Sequence, residues 1–344
     1  MPEETPIESR KSDHIRINLE EDVQSGLTTG LEKFRFVHEA LPEINLADVD
    51  AHLDLMGKRL EVPILISSMT GGTPEAFEIN ARLAEAAEQA GMAMGVGSQR
   101  VALEKKETRT SFQIRRFAPT ALVFANLGAV QLNYGLNVAD CQRAVEMVEA
   151  DGLILHLNPL QEALQAEGNT NFTGLLKKIE QVCRGLDVPV IVKEGGWGVR
   201  GAPARRLVEG GVQVIDVAGA GGTSWSQVEM FRMEDVNRRK VAAGFRDWGI
   251  PTAEAILQVR QAAPEVKLFA SGGLRDGIEI AKCVALGAEL GGMAGGFLRA
   301  AVQSLDAVMA LADVLKRQIQ ICMFASGATR LEELRDNGKL ERVG

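Results

Sequence analysis

Leu268-Phe269-Ala270-Ser271-Gly272-Gly273-Leu274-Arg275 and Leu290-Gly291-Gly292-Met293-Ala294-Gly295-Gly296 are the two stretches on which the fold turns. Each is a short aliphatic run that breaks into a Gly-Gly turn, the pattern of a buried parallel strand handing its chain to a ligand. One such turn alone reads as an ordinary tight turn. Two at successive strand ends, with Arg275 between them, point to a phosphate-bearing cofactor. In an α/β barrel the loops after strands seven and eight commonly bind phosphate through backbone N–H groups and a helix N-terminus. Arg275 is placed to add a charge-assisted clamp.

Working outward, six more candidate strands precede these two: Pro63–Ser67, Met92–Val96, Leu122–Ala125, Gly152–His156, Val190–Lys193 and Gln213–Val217. With Leu268–Ser271 and Leu290–Ala294 they make eight. Between them run amphipathic segments of helical period: Pro74–Ala90, Val138–Ala150, Thr173–Gly185, Thr252–Ala263, Asp276–Leu286 and Phe297–Leu311. In the first, Ile79, Leu83, Ala87 and Ala90 recur at helical spacing, Pro74 suits the first turn and Gly91 the stop. Strand and helix in eightfold alternation predict a closed (β/α)8 barrel of the TIM type. An open doubly wound sheet satisfies the same periodicity, which by itself does not demonstrate closure. Two regions fall outside the count: an N-terminal extension, residues 1–61, and a polar insertion from Trp225 to Gly249 after the sixth strand, too long for a routine loop. Either can serve as a lid or a subunit contact. The barrel proper is expected over 62–344, as a single domain overall.

The 344 residues include 38 Lys and Arg against 46 Asp and Glu, a net charge of −8. That excess of acid argues against a general nucleic-acid surface, which needs clustered cations. Any phosphate must be met locally. Cys141, Cys183, Cys283 and Cys322 are scattered without a disulfide framework or C-x-x-C pair, as expected of reduced thiols in a cytoplasm. A polar N-terminus and the lack of a long apolar run predict a protein neither secreted nor membrane-spanning.

Barrel enzymes carry their chemistry on the loops after the strands. The first strand ends in Ser67-Ser68-Met69-Thr70, the second leads into Gly97-Ser98-Gln99-Arg100, and the third reaches Asn126. These small or amide residues let a planar ligand approach and give it directed hydrogen bonds. The fourth ends in His156-Leu157-Asn158-Pro159-Leu160-Gln161-Glu162, an imidazole, two amides and a carboxylate together. Glu162 suits Mg²⁺, which prefers carboxylate oxygens, water and substrate phosphates; the bland alternative is a solvated loop acid. Lys193 closes an apolar strand and brings a cation to the barrel mouth, where it can stabilise an anion. Amides and a lysine around one end, with glycine turns at the other, fit FMN better than a sugar phosphate.

Arg10-Lys11-x-Asp13-His14, Ser68-Met69-Thr70-Gly71-Gly72, Gly97-Ser98-Gln99-Arg100, His156 to Glu162, Lys193-Glu194 and the Gly-Ala-Gly-Gly-Thr-Ser-Trp loop together resemble the type 2 isopentenyl diphosphate isomerases, over residues 10 to 300 or so. The resemblance implies an FMN- and Mg²⁺-dependent enzyme, with the flavin reduced by NADPH, that interconverts isopentenyl and dimethylallyl diphosphates. It implies FMN contacts at Ser67, Ser68, Met69, Thr70, Ser98, Asn126, Lys193, Thr223, Gly273, Leu274, Arg275, Ala294 and Gly295. Substrate contacts are implied at Arg10, Lys11, Ser98, Gln99, Arg100, His156, Asn158 and Gln161, with Glu162 holding Mg²⁺ on the diphosphate. Lys193, His156 and Gln161 are the residues expected to serve catalysis, Gln161 by orienting, since an amide is a poor acid or base. Ala218 departs from the pattern, for many members carry serine there. A homotetramer or homo-octamer is expected.

Overall fold

The computed structural model describes residues 6–336 and 338–343, except for the side chains of residues 6–10. Eight parallel strands close into a barrel: β1 (Ile64–Ile66), β2 (Ala93–Gly95), β3 (Val123–Gly128), β4 (Gly152–Leu157), β5 (Val190–Glu194), β6 (Val214–Asp216), β7 (Lys267–Ser271) and β8 (Leu290–Met293). Closure comes from the parallel pairing of β8 with β1, Gly291 opposite Ile64 and Met293 opposite Ile66. The open sheet is thereby excluded.

The strands read as continuous apolar runs because both faces are buried. Outward residues such as Ile66, Met94, Val123, Leu155, Val192 and Leu268 join one large core with the helices. The inward residues Leu65, Ala93, Phe124, Ile154, Ile191, Val214, Phe269 and Leu290 form a separate cluster filling the barrel. Its floor is a hairpin in the N-terminal extension, Leu53–Leu55 paired with Lys58–Leu60, whose Leu55 and Leu60 belong to that same cluster. Truncating Phe124, fully buried against Phe269, removes a large share of this plug at a cost of about 3–5 kcal/mol.

Side chains alternate along a strand, so the next inward position lies two residues on. There the chemistry changes: Ser67, Gly95, Asn126, His156, Lys193, Asp216, Ser271 and Gly292 replace the apolar layer. The barrel is thus a hydrophobic plug capped by a polar layer under the mouth.

The helices follow the local signals. Pro74–Ala90 starts on a Thr73 side-chain cap with Pro in its first turn and stops at Gly91, whose φ is 63°. Val138–Val148 opens on a capping box between Asn137 and Asp140. The expected Phe297–Leu311 is instead two helices, Gly295–Gln303 and Leu305–Ala325, because Ser304 turns to extended backbone and caps the second. Gly201–Glu209, absent from the sequence expectation, completes the fifth unit. The insertion is not an irregular loop but contains the helices Trp225–Arg232 and Val236–Ala243. It packs on the N-terminal helix Pro6–Glu20 through a small core of Ile17, Val23 and Val228. Among the described residues no helix is long and apolar enough to cross a membrane.

Candidate active site

Above the polar layer lies a cavity of about 380 Å³, walled by the strand-end loops and roofed by Lys11, His14, Ile15 and Asn18 of the N-terminal helix. Lys11 Nζ reaches down to the carbonyls of Gly71 and Ser98, the latter at 3.1 Å, and lies 5.3 Å from the Phe112 ring centre. The tail therefore folds over the mouth, pinned by a cation on backbone oxygens. Arg10 lies outside the described side chains.

On one side the wall is close-packed backbone. Gly272 has φ 109°, and a Cβ there would stand 2.1 Å from the Gly219 oxygen. At Gly273, φ 78°, it would stand 2.4 Å from the Gly221 carbonyl carbon. Only glycine allows these turns to cross. Gly273, Leu274, Ala294 and Gly295 line this wall, as does Thr223, whose hydroxyl donates to Asn18 at 3.4 Å. Arg275 lines it too, but its guanidinium is paired with Glu279 at 2.5 Å and its side chain is 75% exposed. It is a surface ion pair more than the expected clamp. Arg299, which sequence reading overlooked, also lines this wall beside Gly295; it follows that glycine by one helical turn.

The opposite wall is side chains. Ser67 Oγ, Ser68 Oγ and Thr70 Oγ1 are buried without any partner. Unpaired buried hydroxyls cost free energy unless a ligand meets them. Asn126 lies inside β3 rather than after it; it donates to the Val96 carbonyl at 3.0 Å, and its Oδ1 lies 2.8 Å from His156 Nδ1. Since that oxygen only accepts, the ring proton sits on Nδ1. Lys193 projects from β5 and donates to the Glu194 carbonyl at 2.7 Å. The hydroxyls, the amide and the ammonium suit the polar edge of a flavin ring, and the glycine turns suit its phosphate.

Arg100, His156, Asn158, Gln161 and Glu162 converge at the remaining edge. Arg100 pairs with Glu104 at 2.9 Å and reaches Asn169 Oδ1 at 3.3 Å. Glu162 accepts from Asn158 at 3.0 Å and from the Asn169 backbone at 2.5 Å, while Asn158 Oδ1 is buried without a partner. No group of three His, Cys, Asp or Glu suited to a metal occurs among the described residues. One carboxylate beside an unpaired amide oxygen fits Mg²⁺ held chiefly by substrate phosphates and water.

Gln99 departs from expectation. Its side chain is fully buried and turned away from the cavity, donating to Ala144 O at 2.8 Å and accepting from Asn126 N at 2.9 Å. It braces Asn126 instead of meeting substrate. Glu229 is the residue sequence reading missed. Only 1% exposed, it gathers His14 at 3.2 Å, Gln161 at 2.9 Å and Arg232 at 2.7 Å. Burial alone pushes its carboxyl up, but the bond and charge of His14, the bond from Gln161 and the Arg232 charge outweigh that and hold it at about 2. The sequence signal was faint: one of four acids in the insertion, one turn after Trp225, whose ring meets His14 edge-on at 5.0 Å.

The family model for FMN-dependent dehydrogenases matches residues 135–341, more than half of the chain. An isopentenyl-diphosphate delta-isomerase of Nostoc sp. is 54% identical over 337 residues, covering 98% of this chain and 96% of its own. The chain belongs to the isopentenyl-diphosphate delta-isomerase family. Enzymes of that name from Stutzerimonas stutzeri, 51% identical with 95% of both chains covered, and Synechocystis sp., 52% identical with 94% and 93% covered, agree. Among solved structures, a flavocytochrome b2 with pyruvate bound superposes at a TM-score of 0.69 and 18% identity, covering 96% of this chain and 82% of its own. A mandelate oxidase with an FMN adduct does so at 0.65 and 18%, covering 96% and 92%. At such identities these establish the barrel fold alone. This delta-isomerase family member is an FMN-type barrel with its candidate site at the C-terminal mouth.

Proposed function

We propose that this protein interconverts isopentenyl and dimethylallyl diphosphates, with reduced FMN in the barrel mouth acting as acid and base and Mg²⁺ on the diphosphate. The observation that carries the reading is the division of one cavity: unpaired hydroxyls and Lys193 at one wall, cations, amides and Glu162 at the next. Ser67, Ser68, Met69, Thr70, Ser98, Asn126, Lys193 and Thr223 hold the ring and chain of FMN, and Gly273, Leu274, Ala294 and Gly295 its phosphate, with Arg275 at the rim beside them, paired to Glu279. Lys11, Arg100 and His156 meet the substrate's negative charge, and Asn158 and Gln161 orient it beside Glu162. Arg10 joins them from the tail, which makes residues 1–61 part of the site.

Moving the double bond means adding a proton to the terminal alkene carbon and removing one from the neighbouring methylene. When bound, reduced FMN supplies a proton at N5 and an electron-rich ring against the positive charge that develops, so a redox cofactor serves a redox-neutral reaction. The Lys193 ammonium favours negative charge on the reduced ring. Glu229 holds the Gln161 amide by its Nε2, so Gln161 presents a fixed face to the substrate. The plug below and the N-terminal helix above bound the space in which the substrate would react. On the same reading NADPH is the reductant, the compartment is the cytoplasm and the assembly is a homotetramer or homo-octamer, by analogy with the family.

Proton NMR of isopentenyl diphosphate in D₂O with protein, FMN, Mg²⁺ and NADPH tests the proposal. Deuterated dimethylallyl product is expected only with reductant present. No conversion by a flavin-loaded, reduced sample would overturn it.

A further inference from the structure

Beneath the cavity lies a carboxylate that the reading above does not use. Asp216 ends β6, is 1% exposed, and takes the inward position two residues beyond Val214 of the apolar plug. Its Oδ1 receives three donors: Ser271 N at 3.1 Å, Ser271 Oγ at 2.8 Å and Ala218 N at 3.2 Å. These bonds tie the β6 turn to the end of β7. Ala218 is held at φ 38°, a left-handed region that a residue with a Cβ enters only when its surroundings hold it there. Its carbonyl accepts from Gly198 N of the β5 turn at 3.0 Å, and Gly219 N donates to Ser271 O at 2.9 Å. The β6 and β7 turns, with the glycines that wall the cavity, therefore cross at the point Asp216 fixes.

The second oxygen, Oδ2, is buried and has no partner. The register places Lys193 of β5 directly across from Asp216. The two are adjacent inward charges of opposite sign in one layer. Lys193 spends a bond on the Glu194 carbonyl, and the Glu194 carboxylate is turned to the backbone N–H groups of Gly196 and Trp197. On the other flank of Lys193, the register partner is His156, bonded to Asn126. Asp216 is the carboxylate of this layer with an oxygen left unspent.

We propose that Asp216 is a positioning residue of the site: through Oδ1 it locks the crossing of the two glycine turns, and through its buried charge it offsets Lys193. It thereby sets how strongly the site favours reduced over oxidised FMN. The inference rests on the FMN reading above. Reduction adds negative charge to the ring, which Lys193 favours and Asp216 opposes. At a separation of ~10 Å and an effective dielectric of ~20, one unit charge changes such an equilibrium roughly tenfold.

Asp216→Asn keeps the shape and one acceptor while removing the charge. In a spectroscopic redox titration of the FMN-loaded variant, preference for the reduced form is expected to rise roughly tenfold, an upward shift of about 30 mV for a two-electron couple. Ser271→Ala removes one Oδ1 partner but keeps the charge, and is expected to leave the potential in place. An unmoved potential in Asp216→Asn, or an equal shift in Ser271→Ala, overturns the charge role. A second measurement needs no cofactor: urea unfolding of Asp216→Asn, Lys193→Met and the double variant. Removing one of two opposed buried charges costs more than removing both, so the double is expected to lose less than the sum of the singles; strict additivity overturns the pairing. Failure of the parent protein to quench FMN fluorescence would strike the cofactor reading instead, and is separate from either result.

Discussion

On the β6 to β8 side of the mouth the cavity wall is backbone, with Gly219, Gly221, Gly222, Gly272 and Gly273 crossing at atomic contact. On the β3 to β5 side it is side chain, with Asn126, His156, Asn158, Gln161 and Glu162 held by one another and by neighbours. The first wall gets its shape from missing atoms and tolerates no addition. The second gets its shape from bonds and can be altered one bond at a time. On the proposed reading the backbone wall serves the cofactor's phosphate, which needs a rigid cradle, and the side-chain wall serves the flavin ring and the substrate, which need directed charge.

The comparison breaks most visibly at Gly272. Gly272→Ala forces a Cβ onto the Gly219 oxygen at positive φ and is expected to cost about 3 kcal/mol of stability and to abolish FMN retention. Thermal melting and flavin fluorescence check both. Retention of FMN by this variant would show that the glycine wall is dispensable. On the other wall, Glu229→Gln leaves His14 and Arg232 without their carboxylate in a buried cluster, at about 3 kcal/mol. Here FMN affinity is expected to hold while the KM for diphosphate rises, since an amide offers one acceptor where the carboxylate held Gln161, His14 and Arg232 together. If flavin is lost along with substrate affinity, the two walls are not independent.

Much of this architecture was legible beforehand, and the parts that were not share a cause. All eight strands and the Pro74–Ala90 helix follow from period, caps and glycine stops, which are local. The glycine turns were readable because a Gly-Gly after a strand has few other uses. Glu229 and Asp216 were not, because a buried acid looks like any acid until its partners arrive from elsewhere in the chain: His14 and Gln161 in one case, Ser271 in the other. Gln99 misled for the complementary reason. It stands among site residues in sequence, yet the first turn after β2 points its side chain back into the helix layer, toward Ala144.

The side-chain wall carries two buried acids that titrate in opposite directions. Glu229 sits at about 2 in the folded protein against an ordinary 4.5, so its contribution is fully present above pH 4.5 and is lost as pH falls toward 2, about 3 kcal/mol in all. Glu194, beneath the β5 turn, runs the other way. Burial pushes it up to about 7, against the backbone N–H bonds of Trp197 and Gly196 and the charge of Lys193. A raised folded value means stability is greatest below pH 4.5 and declines as pH rises through 7. The unfolding free energy of the parent in urea is therefore expected to fall between pH 5 and 7.5 by an amount that Glu194→Gln removes, about 1–3 kcal/mol. A slope that persists unchanged in Glu194→Gln would assign it to other groups.

The smallest effect is expected where the cofactor wall relies on a side chain after all. Arg275 sits beside the glycine turn, but it is mostly exposed and already paired with Glu279. Exposed pairs contribute about 0–1 kcal/mol and are screened by salt. Arg275→Gln is therefore expected to weaken FMN binding no more than about threefold at low salt, and less at high salt. Equilibrium titration by flavin fluorescence at two ionic strengths measures this directly. A loss approaching that of Gly272→Ala, insensitive to salt, would mean that Arg275 leaves Glu279 to grip the phosphate when the cofactor is bound, and that the backbone wall depends on a charge it does not itself contain.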